Sequence, residues 1–475
     1  MTKDFSYKPD PHFLSLGDGF ADPVETPAWP KSIIRFKNDI WAKRIGLAHL
    51  RDAEWVAHFA DFKALPDNLP RPLAQRYHGH QFRHYNPNIG DGRGFLFAQM
   101  RDDTNRLLDL GTKGSGTTPY SREGDGRLTL KGGVREILAT EMLEALGVNT
   151  SKSFSLIETG EQLYRDDEPS PTRSAVLVRL NHGHIRIGTF QRHAYFEDKE
   201  RLIKLADYCL ETYFNEAIEG SEEDRILAFL KYVAEKTATL AAQTMAAGFV
   251  HGVLNSDNIN ITGESFDYGP WRFLPKFDPT FTAAYFDSIG LYAYGRQPDA
   301  IHWNVYQLAG CFTDIVSEDK LKQALKDFPE LYTKALRQCL MHKLGIKSKD
   351  DHCDDALLKA LNDYMVESDL AYETLFFDWY GGMISENRAM LGENANHYLS
   401  EKFVAFREAL KHYEPRDANA INHPYFQQSQ PCTMLIDEVE AIWDAIDKQD
   451  NWAPLYKKIE DIRAMATALK TENSP

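Results

Sequence analysis

Two patterns of apolar residues divide the chain. Between about residues 90 and 190, short apolar or β-branched runs alternate with glycines and polar turns, as in GFLFAQM, RLLDLGTK, SFSLIE, SAVLVRL and HIRIGTF. Runs of this length bounded by turn residues predict strands of a sheet. One segment differs, because the apolar residues of KGGVREILATEMLEALG recur at helical spacing and Gly147 supplies a helix stop. The pattern predicts a sheet interrupted by one helix.

After about residue 195 the apolar spacing becomes mostly helical. It predicts a helix from Leu202 to Ala217 and a longer one that begins after the capping-box signal Ser221–Asp224 and ends near Gly248. The remainder of the chain is also largely helical in pattern. A sheet-rich first part followed by a helix-rich second part predicts an α+β fold with two lobes.

The first 88 residues are rich in proline and aromatic residues, with short helical patches. This composition is typical of an extension wrapped on a larger body. We therefore predict three parts, with the limits 1–88 for an N-terminal extension, 89–197 for a sheet-rich N-lobe and 198–475 for a helical C-lobe with a C-terminal extension.

The composition excludes several classes of protein. The 475 residues are 43% hydrophobic and 26% charged, which is typical of a globular chain. The sequence contains no run of 18 apolar residues, the length needed to span a membrane. The formal charge of −16 disfavours nucleic-acid binding, so any phosphate ligand must meet a local basic patch. The polar, partly acidic N-terminus argues against a signal peptide, so we expect a cytoplasmic location. Five cysteines without a CxxC pair predict reduced, mostly buried thiols.

The segment HGVLNSDNIN at residues 251–260 has the strongest candidate chemistry. Asn255, Asp257 and Asn258 lie in a loop before the short apolar run INI, which we expect to be a strand, and Asp267 follows nine residues after Asn258. Carboxylate and amide oxygens are the ligands that Mg²⁺ prefers. An Asx-rich turn that satisfies its own backbone is the alternative.

This segment also follows part of the protein-kinase pattern. A kinase has H-R-D-x-x-x-x-N, in which the aspartate is the base and the asparagine binds metal, and then D-F-G with a second metal ligand. His251 and Asn258 keep that spacing, and Asp267-Tyr-Gly replaces D-F-G. The kinase base position holds Val253, which cannot accept a proton. We infer a kinase-like metal site in which Asp257 is the nearest carboxylate that could act as base.

A kinase fold also requires a strand lysine for the phosphates and a helix glutamate that orients it. Lys113 closes the run RLLDLGTK, and Glu136 lies in the predicted helix between the strands. Each residue taken alone is more typical of a solvated surface. As a pair they suit the ion pair of a kinase-like nucleotide site.

Glycines and basic residues are concentrated near this lysine. The segments GDGRG at 90–94 and GTKGSGTTPYSREGDGR at 111–127 could bring backbone N–H groups close to phosphate oxygens, although hairpin turns would have the same composition. Arg179 and Arg186, seven residues apart with a turn between them, could converge on phosphates from paired strands. Surface ion pairs are the alternative role for both arginines.

The motifs LGDGRG, KGSGTTPYSREGDGR, HIRIGTF, GFVHGVLNSDNINITGESFDYGP and YGRQP resemble, in order and spacing, the selenoprotein O (YdiU) family of kinase-like proteins. The resemblance covers roughly residues 12–310. It implies transfer of AMP from ATP to Ser, Thr or Tyr hydroxyls of other proteins, with Mg²⁺ or Mn²⁺. It further implies that Asp257 is the proton acceptor and that Asn258 and Asp267 bind the metal. The residues implied to bind ATP are Gly90, Gly92, Arg93, Lys113, Asp125, Gly126, Arg179, Arg186 and Asp267, with Glu136 orienting Lys113.

Three alternatives remain open at this stage. A true kinase would transfer the γ-phosphoryl group, a catalytically silent scaffold would only bind nucleotide, and some family members use UTP. The chain departs from the family pattern at Arg83, where a glycine is expected after HQF, and its C-terminal tail has no cysteine. We expect protein substrates, no nucleic-acid or membrane partner, and a monomer.

Overall fold

The computed structural model describes residues 5–122, 124–166 and 168–470, which form a mixed α/β structure. Its strands are β1 (Ala21–Pro23), β2 (Ile33–Lys37), β3 (Leu73–Gln75), β4 (Gly79–Gln81), β5 (His84–Asn86), β6 (Leu96–Arg101), β7 (Leu107–Lys113), β8 (Leu128–Thr129), β9 (Lys152–Leu163), β10 (Thr172–Asn181), β11 (Phe249–His251) and β12 (Trp271–Phe273). Its helices are α1 (Asp39–Arg44), α2 (Asp52–Phe59), α3 (Leu130–Ala145), α4 (Ile187–Tyr195), α5 (Lys199–Phe214), α6 (Glu222–Ala246), α7 (Gln297–Gly310), α8 (Glu318–Leu325), α9 (Phe328–Lys343), α10 (Asp351–Glu367), α11 (Tyr372–Asp378), α12 (Glu386–Leu391), α13 (Glu401–Leu410), α14 (Ile436–Gln449) and α15 (Ala453–Leu469).

The main sheet has the antiparallel order β1-β3-β6-β7-β10-β9-β2, and β8 pairs with β10. The predicted strands GFLFAQM, RLLDLGTK, SFSLIE and SAVLVRL are confirmed as parts of β6, β7, β9 and β10. Three strands of this sheet, β1, β2 and β3, come from the first 88 residues. The N-terminal part of the chain therefore completes both edges of the sheet.

The prediction of a strand for HIRIGTF is wrong. After β10 the chain turns at Gly183, which has a φ of +86°, and α4 begins at Ile187. Ile187 and Phe190 are fully buried in a core with α5, α6 and α7 rather than in the sheet. Their three-residue spacing suits one face of a helix, so packing against the helical core decides the conformation. The run INI is not a strand either, because Asn260 makes only an isolated bridge with Arg186.

Helix α3 is the predicted helix between the strands, and it packs between the sheet and the C-terminal helices. Its apolar residues share one buried cluster with residues of β9, β10, α14 and α15. Arg463 of α15 pairs with Glu141 of α3 at 2.8 Å, and Lys131 of α3 pairs with Glu440 of α14 at 2.7 Å. The last two helices thus support the helix that holds Glu136.

The helical part is built around α6, whose predicted capping box is confirmed. The Ser221 hydroxyl accepts from the N–H of Asp224, and the Asp224 carboxylate accepts from the N–H of Ser221 at 3.2 Å. None of the described helices has the length and apolar character needed to cross a membrane. All five cysteines are free thiols, but only Cys209 and Cys311 are buried, fewer than predicted.

Candidate active site

A cavity of about 720 Å³ opens between the glycine-rich segments, β7, β10 and the loop that holds Asp257. Among its described lining residues are seven basic and five acidic side chains, so it carries a local positive excess in a chain of net charge −16. Such a pocket meets the requirement that an acidic chain needs a local basic patch to bind phosphate. The predicted residues that line it are Gly90, Gly92, Arg93, Lys113, Asp125, Gly126, Arg179, Arg186, Asp257 and Asp267.

Four charged side chains, three of them buried, form a network on one side of the cavity. Lys113, at the end of β7, contacts the carboxylate of Glu136 in α3, and its Nζ lies 2.7 Å from Asp267 Oδ1. Arg179 of β10 reaches the same Asp267 oxygen at 3.2 Å. The predicted Lys113–Glu136 pair is therefore formed. Lys113 lines the cavity, and Glu136 lies behind it.

Asp267 is held ionised by this network. Burial opposes its charge, but Lys113, Arg179 and Arg93 together keep the pKa of its carboxyl well below the usual value. Its backbone has a φ of +62°, in the left-handed region that non-glycine residues rarely occupy. A residue in this conformation is held there by its surroundings, which here are the two cations.

His251 connects the Asp257 loop with the Asp267 segment. The N–H of Val253 donates to Nδ1 of His251 at 3.2 Å, so Nε2 carries the proton and lies 3.3 Å from the carbonyl oxygen of Phe266. Burial lowers the pKa of His251 to about 4, so the ring is neutral at pH 7. The histidine expected from the kinase pattern is thus a structural link between the two segments.

The two glycine segments pack against each other along the cavity wall. A Cβ at Gly126 would lie 2.2 Å from the carbonyl oxygen of Gly116, so only glycine fits this position, where φ is +69°. Asp125, next to it, accepts from Nη1 of Arg165 at 2.7 Å and from the N–H of Arg127 at 2.9 Å. The second glycine segment is thereby joined to the turn after β9.

Asp257 lies in a different environment on the facing side. It is in a 3₁₀ turn, Ser256–Asn258, and its side chain is 9% exposed. Burial raises the pKa of its carboxyl to about 6, although the guanidinium of Arg186 opposes the shift. Its Oδ1 is buried and has no hydrogen-bond partner in the described part of the chain. A buried carboxylate with an unpaired oxygen and a pKa near neutrality suits a general base.

Neutral hydrogen bonds hold the Asp257 turn in place. The Ser256 hydroxyl donates to Oε1 of Gln191 at 2.5 Å and accepts from the N–H of His80 at 2.7 Å. Nε2 of Gln191 donates to Nδ1 of His80 at 2.7 Å, which closes a ring of three residues from β4, α4 and the turn. These three residues are called the His80–Gln191–Ser256 ring below.

The hairpin β4–β5 covers the same turn. Its two connecting residues, Phe82 and Arg83, have φ values of +50° and +65°, as a tight two-residue hairpin requires. Arg83 thus adopts a conformation that favours glycine, the residue expected here, and its guanidinium lies 5.3 Å from the ring centre of Trp303. The N–H of Phe82 donates to Asn255 Oδ1 at 2.9 Å. With arginine at position 83, the hairpin therefore still contacts the loop that holds Asn255.

The predicted arginines converge, but not from paired strands as predicted. Arg179 is on β10, whereas Arg186 is the residue before α4, because the chain leaves the sheet after Asn181. Nη1 of Arg186 donates to the carbonyl oxygen of Asp257 at 3.2 Å. Arg179 is therefore positioned by the sheet, and Arg186 by its contact with the loop that holds Asp257.

The oxygen donors present suit Mg²⁺. Asp257 has the unpaired Oδ1 described above, and Asp267 lies close enough to raise the pKa of Asp257 further. The described residues contain no group of three or more His, Cys, Asp or Glu that could hold a metal by themselves. Mg²⁺ commonly takes only one or two carboxylates and completes its shell with water and phosphate oxygens. Asn258 donates its amide to the carbonyl oxygen of Val253 at 3.1 Å and is not among the described lining residues.

Several lining residues were missed by the sequence reasoning. Tyr120, Arg122 and Arg127 belong to the second glycine segment, where counting basic and aromatic residues could have indicated them. Tyr77 and Gln81 approach Asp257 from about 180 residues earlier, and no local pattern indicates that. Asp91, between Gly90 and Gly92, was also not assigned a role.

Comparison with known proteins shows the family of the chain. Residues 3–463 match the family model described as "Protein adenylyltransferase SelO". The chain is 40% identical to the protein nucleotidyltransferase YdiU of Synechocystis sp., over 96% of this chain and 98% of that protein. It is 41% identical to the protein of the same name from Gloeobacter violaceus, over 96% of this chain and 94% of that protein. The chain therefore belongs to the SelO family of nucleotidyltransferases.

Proposed function

We propose that the chain transfers AMP from ATP to Ser, Thr or Tyr hydroxyls of other proteins, with Mg²⁺ as the metal, on a two-lobed protein-kinase-like fold with limits at residues 88 and 197. One observation carries the proposal: a fixed group of cations and a carboxylate with a pKa near 6 face one cavity. Family membership supports nucleotidyl transfer in general, and the description of the matched family supports AMP as the group transferred. We also propose, from the sequence alone, that the protein is cytoplasmic and monomeric.

In this proposal the cations of the cavity bind the triphosphate. Lys113 is fixed by Glu136, and Arg93, Arg179 and Arg186 add positive charge on the same walls. Fixed cations stabilise the charge that develops on phosphate oxygens without having to reorganise during the reaction. The glycine segments allow backbone N–H groups to approach the nucleotide.

The transfer step needs a base and a place for the metal. The acceptor oxygen forms a bond to the α-phosphorus, the bond from that phosphorus to its bridging oxygen breaks, pyrophosphate leaves, and the hydroxyl proton passes to Asp257. Asp267 would hold Mg²⁺, which when bound neutralises phosphate charge. Asn258 would be the second ligand on the family resemblance alone, because it is not among the described residues that line the cavity. Val253, at the position of a kinase base, has no group that could accept the proton.

Labelled nucleotides test the proposal. The protein is incubated with Mg²⁺, a protein extract and ATP labelled either at the α- or at the γ-phosphate, and the Asp257→Asn variant is the control. We expect protein-bound label only from α-labelled ATP and only with the wild-type protein. Label from the γ-position would show a kinase, and tight ATP binding without transfer of either label would show a silent scaffold. Competition with UTP and replacement by Mn²⁺ in the same assay identify the preferred nucleotide and metal.

A further inference from the structure

Asp91 is fixed between the glycine loop and the sheet. Its N–H donates to the carbonyl oxygen of Gln75 at 3.1 Å, and its Oδ2 accepts from the N–H of Gln75 at 3.0 Å. Its Oδ1 accepts from Nη2 of Arg186 at 3.3 Å. One aspartate therefore connects strand β3, the first glycine segment and the residue that precedes α4.

Arg186 is enclosed by its partners. Its guanidinium carbon lies 4.0 Å from the ring centre of Tyr77 and 5.1 Å from that of Phe266. Its Nη1 donates to the Asp257 carbonyl oxygen, whereas its Nε is buried without a partner in the described chain. The side chain is 3% exposed, so its orientation depends on these few contacts.

Of these contacts, only Asp91 brings a hydrogen-bonded carboxylate to the Arg186 guanidinium. The other hydrogen bond is to a backbone carbonyl, and the two rings restrain the plane of the guanidinium. The guanidinium is an ionised donor in both hydrogen bonds, but only the bond to Asp91 also has an ionised acceptor. The two hydrogen bonds together fix the rotation of the group within its plane, and Asp91 is the ionised partner among these contacts.

We propose that Asp91 is a positioning residue, which holds the Arg186 guanidinium against the Asp257 carbonyl and toward the triphosphate. This inference rests on the proposed function, because it assigns Asp91 a role in that transfer. It predicts two effects when the charge of Asp91 is removed. Transfer slows, because the Arg186 guanidinium is no longer held in one orientation relative to the Asp257 turn. ATP binding does not weaken, because Arg186 keeps its charge and loses a competing anion.

The Asp91→Asn variant separates these effects, since its side-chain oxygen can still accept from the Gln75 N–H. Its matched control is Asp103→Asn, an aspartate that pairs with Arg44 at 3.1 Å and does not line the cavity. We expect kcat for AMP transfer to fall about tenfold or more, while the Kd for ATP, measured by calorimetry, stays the same or becomes tighter. A Kd that weakens in parallel with kcat, or a kcat equal to that of the control, would overturn the proposal.

Thermal unfolding in a second background tests the contact without relying on activity. Asp91→Asn should lower Tm in the wild-type background, because it removes an ion pair. In an Arg186→Leu background it should raise Tm, because it removes a carboxylate that has lost its partner. The same Tm change in both backgrounds would overturn the role of Asp91 in holding Arg186. If the wild-type protein transfers no label from α-labelled ATP, the proposed function fails, and this cycle still decides whether Asp91 holds the arginine.

Discussion

Two aspartates ten residues apart, Asp257 and Asp267, face the same cavity in opposite environments. Asp267 lies between two cations, Lys113 at 2.7 Å and Arg179 at 3.2 Å, and its pKa is held well below the usual value. Within the described part of the chain no ion pair involves the carboxylate of Asp257, and burial raises its pKa to about 6 although Arg186 opposes the shift. Environment, rather than residue type, separates an anion that stays charged from a carboxylate that can take up a proton.

The supports of the two residues differ in the same way. The Asp267 side is fixed by ion pairs, whereas the Asp257 turn is fixed by the neutral His80–Gln191–Ser256 ring and by the β4–β5 hairpin. The neutral support adds no positive charge at the carboxylate, so burial outweighs the opposing effect of Arg186 and the pKa of Asp257 stays raised. The comparison predicts that equivalent substitutions at the two aspartates have opposite effects on stability.

Asp267→Asn should give the largest loss of stability and of activity. It leaves Arg179 without its carboxylate and Lys113 with Glu136 alone, so we expect the free energy of unfolding to fall by about 3–5 kcal/mol and transfer to be abolished. Urea denaturation measures the loss. Asp52→Asn is the control, because it breaks an ion pair with Lys37 in which the aspartate is 82% exposed, and it should change stability by at most about 1 kcal/mol. Equal losses of unfolding free energy in both variants would show that the ion pairs of Asp267 do not stabilise the fold.

Asp257→Asn should lower transfer by about 10²–10⁴-fold and at the same time stabilise the protein. The folded pKa is above that of the unfolded chain, so ionising Asp257 destabilises the fold once the pH rises above about 4, and this cost is complete above about pH 6. The amide removes the cost, so we expect a gain on the order of 1–3 kcal/mol at pH 7.5, and a smaller gain at pH 5.

Thermal unfolding of nucleotide-free and metal-free protein at both pH values measures this gain. Since Asp267 has a lowered pKa, its stabilising contribution is present above the unfolded pKa and is lost only as the pH falls through the folded pKa. A gain for Asp257→Asn that is larger at pH 5 than at pH 7.5 would contradict the raised pKa.

Gln191→Leu should have an intermediate effect. It removes the acceptor of the Ser256 hydroxyl, in a buried setting, and the donor to His80, in a partly buried one. We expect a loss of about 1–3 kcal/mol in unfolding free energy and a fall in transfer of about tenfold, with the Kd for ATP nearly unchanged. Gln307→Leu, in α7 and outside the ring, is the control. Wild-type transfer by the Gln191 variant would show that the ring does not position Asp257.

Arg83→Gly should have the smallest effect, and a favourable one. Glycine adopts the φ of +65° at this position without strain, so we expect a gain of up to about 1 kcal/mol. Arg83→Ala keeps the strain and removes only the contact with Trp303, so it should lose about 0.5 kcal/mol. Chemical denaturation of the two variants gives the sign of each change, and a loss for glycine as large as that for alanine would contradict strain at the hairpin.

Much of the fold could be predicted from local pattern. The strands β6, β7, β9 and β10, the helix α3 and the capping box of α6 all follow from apolar spacing and turn residues. HIRIGTF could not be assigned correctly, because its short apolar run fits a strand as well as a helix. Only the burial of Ile187 and Phe190 against the helical core selects the helix.

The sequence by itself determined the family, the chemical character of the site and the lysine–glutamate pair, because motif spacing and residue type record them directly. Only the tertiary structure decided that neutral groups hold the Asp257 turn whereas cations contact the Asp267 carboxylate. It also decided that Asp91 contacts Arg186, which lies 95 positions later in the chain. The physical reason is that a pKa, a hydrogen bond and a guanidinium's orientation depend on distances in space, which residues far apart in the chain acquire only on folding.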